Sequence, residues 1–197
     1  MSAWLKSGVL AGRHVRMEPL EPRHVAPLAE IAIDPELTRW FVTPLADRAA
    51  FDRWVDAAFA EQADGRSVPY VTWHIAENRP VGSSRFMSIA EGDRRAEIGN
   101  TFVGRAWQRS AVNTEAKLLM LAHAFETAGA VRIEFRTDAR NERSQAALAG
   151  IGATREGVFR RHMLRFDGTW RDSVYFSVLD GEWPRVRALL EARLERA

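Results

Sequence analysis

The period of the apolar positions changes along this chain, and each change marks an element. Residues 14–18 alternate polar and apolar, as a strand with one buried face does, and Pro19 stops the run. Residues 21–33 predict a helix with Pro22 in its first turn, where a missing N–H costs little. Trp40, Phe41 and Pro44 fall in a loop. Residues 47–63 predict a second helix that sets Phe51, Trp54, Val55, Ala58 and Phe59 on one face. Alternation returns over residues 68–76 and 81–90, on either side of Glu77-Asn78-Arg79-Pro80, and again over 96–103 beyond Gly92-Asp93. A helix is expected from Asn113 or Thr114, with Leu118, Leu121, Ala122 and Phe125 as its buried stripe and Gly129 as a left-handed end. Residues 131–137 form a strand with Val131, Ile133 and Phe135 on one face. A short helix runs from Asn141 to Gly150 or Gly152. Strands at 154–159 and 172–178 flank a connection holding Asp167-Gly168, and residues 182–196 close the chain as a helix with Pro184 near its start. The pattern describes one α/β domain over residues 1–197, with a mixed sheet of about seven strands flanked by helices.

Composition changes this picture mainly by exclusion. The chain has 197 residues, 46% of them hydrophobic and 27% charged, ordinary values for a globular domain. No apolar run approaches the roughly 18 residues of a membrane span, and Met1-Ser2-Ala3-Trp4-Leu5-Lys6 lacks a secretory layout, so a cytoplasmic location and no membrane partner are expected. The absence of cysteine removes disulfides, thiolate metal sites and a thiol nucleophile. Net charge is only +2, the two lysines are Lys6 and Lys117, and acids are mixed among the arginines, which argues against a nucleic-acid partner. The five histidines show no ligand spacing, so no metal is expected.

One stretch carries candidate chemistry. Gln108-Arg109-Ser110-Ala111-Val112-Asn113 is short, polar and mostly small, and it leads from a strand into a helix. A helix start offers unpaired N–H groups and the positive end of the peptide dipoles, enough to hold a pyrophosphate without lysine. The plainer alternative is a helix capped by Asn113 or Thr114.

The segments EIGNTFVGRAWQRSAVNTEAKLLMLAHAFE, RIEFRTDARNERSQAALAGIGATREG and DGTWRDSVYFSV occur in a distinctive order. With them the chain resembles the GNAT superfamily of acyl-CoA-dependent N-acyltransferases, in the branch of bacterial ribosomal-protein N-terminal (alanine/serine) acetyltransferases. The resemblance implies a GNAT-like fold with a mostly antiparallel sheet, acetyl-CoA as co-substrate, and an amine acceptor, either a protein N-terminus or a small molecule. Such enzymes are often homodimers. It further implies that amides from Arg109 to Thr114 hold the coenzyme's pyrophosphate. Ala111 and Asn113 stand where the family's loop has small residues, the first of them usually glycine. Main chain of Thr101, Phe102 and Val103 would stabilise the oxyanion. Asn141 would contact the pantetheine arm. Many members carry a tyrosine seven residues further on. Leu148 occupies that place here, so Ser144 becomes the hydroxyl able to protonate the leaving thiolate. Asn141 could instead be a cap and Ser144 an exposed helix residue. Glu97 stands where members place a general base acting through water; a carboxylate on an edge strand is the alternative. Arg39, Trp40 and Phe41, with Arg161 and His162 in the hairpin after Phe159, would border the acceptor. That hairpin region also carries Arg155, Arg160, Arg165 and Arg171, which suits an acidic acceptor or acyl group unless it is simply a solvated charge run. Acetyl transfer to a protein α-amine is the leading expectation. Acetylation or succinylation of a small amine, and a non-catalytic acyl-CoA sensor, are the alternatives.

Overall fold

The computed structural model describes residues 4–196; Met1 to Ala3 of the stretch read for a leader lie outside the described residues. Eight strands form one sheet: β1 (Leu10–Ala11), β2 (Val15–Pro19), β3 (Val68–His74), β4 (Arg79–Ala90), β5 (Arg95–Val103), β6 (Arg132–Asp138), β7 (Thr154–Leu164) and β8 (Trp170–Leu179). Their spatial order is β1-β2-β3-β4-β5-β6-β8-β7, and every neighbouring pair is antiparallel except β5 and β6. The eighth strand beyond the expected seven is the two-residue β1, too short to show a period. Helices α1 (Val25–Ala32), α2 (Pro35–Thr38) and α3 (Arg48–Ala63) precede β3, α4 (Ala111–Ala122) links β5 to β6, α5 (Glu142–Gly150) links β6 to β7, and α6 (Trp183–Leu194) ends the chain.

Alternation along the strands feeds two cores. Met17, Tyr70, Phe86, Ile98 and Ile133 bury one sheet face together with Met120 and Leu121 of α4 and Val186 and Leu190 of α6. Val71 and Phe102 point the other way, against Leu28 of α1 and Phe51 and Val55 of α3. Among the described residues no helix is long and apolar enough to cross a membrane.

Several expected boundaries move: β4 begins at Arg79, inside the expected turn, β7 runs on to Leu164, and two helix starts shift. The helix expected over 21–33 opens as a 3-10 turn, Pro22–His24, because His24 is buried and its ring is tied on both sides: Nδ1 accepts the Glu21 N–H at 3.1 Å and Nε2 meets Glu18 Oε2 at 3.0 Å. The central helix starts at Ala111, not at Asn113 or Thr114. Ser110 is extended (φ −114°, ψ −174°) and its hydroxyl accepts the Val112 N–H, so Ser110 is the cap and the two later residues lie inside the first turn. Of the expected stripe only Leu121 is fully buried. Leu118, Ala122 and Phe125 pack at its margin, because the helix also buries Val112, Ala116 and Met120 and the charged Glu115 and Lys117. A π-helical turn over His123–Thr127 then rotates the end of the helix.

Glu115 explains its own burial. Its carboxylate accepts the N–H groups of Arg13, His14 and Val15 at 2.8, 2.6 and 2.7 Å, fastening the entry of β2 to α4. A side chain on Gly12 would put its Cβ 2.5 Å from the Glu115 carboxyl carbon, so glycine is required there. Glu115→Ala strands these amides and should cost about 3 kcal/mol. A urea midpoint equal to wild type would refute that role.

The feature that positions the candidate site lies between β5 and β6. Their ladder holds only three pairs, Arg95↔Arg132, Ala96↔Ile133 and Glu97↔Glu134, although both strands continue. Between the pairs Ser83↔Phe102 and Arg85↔Gly99, β5 carries one more residue than β4, and Asn100 takes φ 49°. Such a bulge bends a strand. β5 therefore leaves β6 while staying on β4, and a gap opens in the sheet where α4 begins.

Candidate active site

The gap is flanked by the start of α4. The amides of Ala111, Val112 and Asn113 precede the first intrahelical bond. Ser110 Oγ takes that of Val112 at 3.3 Å and donates to the Trp107 carbonyl at 2.6 Å. Those of Ala111 and Asn113 have no partner among the described residues. Arg109 is in the left-handed region (φ 61°), which turns the chain sharply into the helix. Gln108 braces the turn: its Nε2 donates to the Val103 carbonyl at 2.9 Å and its Oε1 accepts from Arg143 of α5 at 2.9 Å. Small side chains are needed because Ala111 and Val112 lie nearly buried under the turn.

Gln108 also lines a cavity of about 410 Å³ that reaches Asn141 and Trp40. Arg39, Arg105, Arg140 and Arg143 line it with Glu36 and Glu142; Arg39 is paired with Glu36, Arg105 with Asp34 and Arg140 with Asp138, whereas Arg143 forms no ion pair among the described residues. Arg39 and Arg140 lie over the Trp40 ring at 4.6 and 5.3 Å. Unpartnered amides, a helix start and an arginine-lined wall suit a nucleotide's phosphates. Asn141 caps α5, its Oδ1 accepting the Ser144 N–H at 3.1 Å. Ser144 is half-buried, and among the described residues its hydroxyl makes no hydrogen bond.

On the opposite sheet face from α4 lies a buried charged floor. Glu97 is 3% exposed, paired with Arg136 of β6 at 3.3 Å and with the Ser88 hydroxyl at 3.4 Å. Burial pushes its carboxyl above the ordinary glutamate value, and Arg136 only partly offsets this. Asp138, at the end of β6, is raised by burial but held lower still by hydrogen bonds from the Arg140 side chain and backbone. The hairpin roofs this floor by gripping the loop after α2. Arg165 donates to the Arg39 carbonyl at 2.9 Å, Arg171 to that of Trp40 at 3.3 Å, and the Phe166 N–H to that of Val42 at 3.2 Å. His162 meets the Ser173 hydroxyl at 3.1 Å and packs against Tyr175, and burial followed by Arg136 and Arg171 keeps its pKa low.

The structure thus brings Gln108, Asn141, Arg39 and Trp40 to one cavity, and sets Glu97 beneath the neighbouring roof. Phe41 packs against the second core, and Arg161 is exposed (φ 48°), its N–H bonded to Asp172 at 2.6 Å. The Thr101 hydroxyl bonds Ser84 and Lys117, and Phe102 sits edge-on to Trp54 at 5.9 Å, so only their main chain is left for a ligand. Arg136, Arg140 and Arg143 were not singled out by sequence, where arginine is common and pairing invisible. Arg171 was visible only as one of five hairpin arginines. Among the described residues no group of three or more histidines and acids is placed to hold a metal ion.

A strand pair that parts at a capped helix start, beside an arginine-lined cavity, places the chain in a class, and sequence comparison gives the same one. Residues 14–154 match the acetyltransferase (GNAT) domain, and the chain belongs to that family. It is similar to a GCN5-related N-acetyltransferase from Brucella melitensis, 29% identical with a TM-score of 0.89 over 96% of this chain and 86% of that one. It is also similar to Mycobacterium smegmatis RimJ, solved in complex with CoA-disulfide, 26% identical with a TM-score of 0.77 over 94% and 91% of the two chains. The [ribosomal protein uS5]-alanine N-acetyltransferase of Escherichia coli (strain K12) is 27% identical over 54% of this chain and 55% of its own. The chain spans about half the length of the first curated relatives it matches.

Proposed function

We propose that this protein transfers an acetyl group from acetyl-CoA to a primary amine, with a protein N-terminal α-amine as the favoured acceptor. The observation that carries the reading is the pair of unpartnered amides, Ala111 and Asn113, at the gap between β5 and β6. The coenzyme would supply a thioester, which an amine can attack directly; without cysteine, no acyl-cysteine relay exists. In this reading the start of α4 and the arginines of the cavity bind the phosphates, and Asn141 steers the pantetheine arm through its side-chain NH₂. Main-chain N–H groups between Thr101 and Val103 face the developing negative charge on the carbonyl oxygen. Glu97, with its raised pKa, takes the amine proton through water, and Ser144 returns a proton to sulfur. An α-amine, with a pKa near 8 against about 10.4 for lysine, needs only such modest help.

Thiol release from acetyl-CoA against N-terminal peptides and small amines tests the reading. Coenzyme binding with no turnover on any amine would leave an acyl-CoA sensor instead. Ser144→Ala should lower kcat on the order of 100-fold while the coenzyme's Kd holds; an unaltered kcat removes Ser144 from the chemistry.

A further inference from the structure

Four arginines meet two acids on the floor beneath the hairpin. Glu97 is taken by Arg136 at 3.3 Å, and Asp138 by Arg165 at 3.1 Å with Arg140 at 3.0 Å on its outer side. Arg171 is left over. It is 7% exposed and forms no ion pair among the described residues, since Glu97 and Asp138 act on it only from a distance. Its Nη1 reaches the Trp40 carbonyl at a long 3.3 Å, and its buried Nε has no partner. A guanidinium so enclosed ordinarily has an acid against it. Arg171 lies within electrostatic reach of the candidate base Glu97 and is tied to the loop at Trp40.

We infer that the acceptor amine carries a carboxylate, and that Arg171 is the specificity-determining residue that receives it. The inference rests on the transferase reading above and names its substrate class: amines with an acidic group within a few atoms of the reacting nitrogen. The forked, permanently charged guanidinium matches a carboxylate in two parallel hydrogen bonds. Arg136 and Arg165 are already paired with Glu97 and Asp138, so Arg171 is the floor arginine left to take the ligand's acid. An acidic acceptor gives Arg171 the counter-charge it lacks; a neutral one leaves a buried cation unmatched.

Matched acceptors with acetyl-CoA test it: a peptide beginning Ala-Asp against one beginning Ala-Asn, and a free amino acid against its amide. The acid of at least one pair should win in kcat/KM on the order of 10- to 100-fold. The pair that shows the preference tells whether the source is a peptide or a free amino acid. In Arg171→Gln the ratio should fall to near one, chiefly through KM, with coenzyme affinity by calorimetry unchanged. Should that variant not fold, Arg171→Lys keeps the charge without the fork and should retain only part of the preference. A wild-type ratio near one in both pairs, or a preference undiminished in the variant, overturns the inference while leaving the transferase in place. No thiol release from any amine overturns the transferase reading, and this inference with it.

Discussion

Ser110→Asp should fold as wild type does and bind coenzyme A about a hundredfold more weakly. Aspartate caps a helix as well as serine does, and its charge suits the positive end of α4, so stability is kept. The one contact it gives up is the exposed bond from the Ser110 hydroxyl to the Trp107 carbonyl. A carboxylate at that cap, however, sits among the amides of Ala111 and Asn113, where the pyrophosphate is proposed to lie. Repulsion between a unit charge and a doubly charged group a few Å away is about 3 kcal/mol in a partly wet site, which is about two powers of ten in Kd. Added salt should recover part of the loss. Ser110→Asn, an equal cap without charge, is the control and should bind nearly as wild type. Calorimetry with coenzyme A decides: wild-type affinity in Ser110→Asp would move the phosphates away from this helix start.

Why the turn into the central helix could be read from sequence and its boundary could not follows from the same residue. Ser110, Asn113 and Thr114 are all good caps, and composition does not choose among them. The choice is made by backbone geometry, with Arg109 left-handed and Ser110 extended so that its hydroxyl returns to Val112. Strands with strict alternation, such as Ile133 and Phe135 against Arg132 and Glu134, were legible because one face meets core. The inner face of α4 was half hidden, since Glu115 and Lys117 read as surface residues. Glu115 is buried against amides about a hundred residues earlier in the chain, a partnership that no local window contains. Arg171 shows the same limit. Its residue type was visible, but its lack of an acid appears only when Glu97 and Asp138 are seen to be taken by other arginines.

Lys117 leads to the last expectation, a gain in stability. It is buried on the inner face of α4, and among the described residues its Nζ donates only to the hydroxyls of Ser84 and Thr101, at 3.2 and 3.0 Å. Burial pushes its pKa down to about 7, against about 10.4 in an unfolded chain. Between these values the unfolded chain holds a proton that the folded one has lost, so stability rises with pH from about 7 to about 10 and is lowest below 7. At about 1.4 kcal/mol per unit, the cost of charging Lys117 inside the fold approaches about 5 kcal/mol at pH 6. Lys117→Met keeps the length of the side chain and removes the charge, while Ser84 and Thr101 still bond each other at 2.7 Å. The variant should be more stable than wild type by about 2–4 kcal/mol at pH 6, an advantage that fades as pH nears 10. Denaturant unfolding at pH 6, 8 and 10 measures it. A variant less stable at pH 6, or a difference that does not vary with pH, would mean that Lys117 keeps its proton in the fold at little cost, through partners stronger than two hydroxyls.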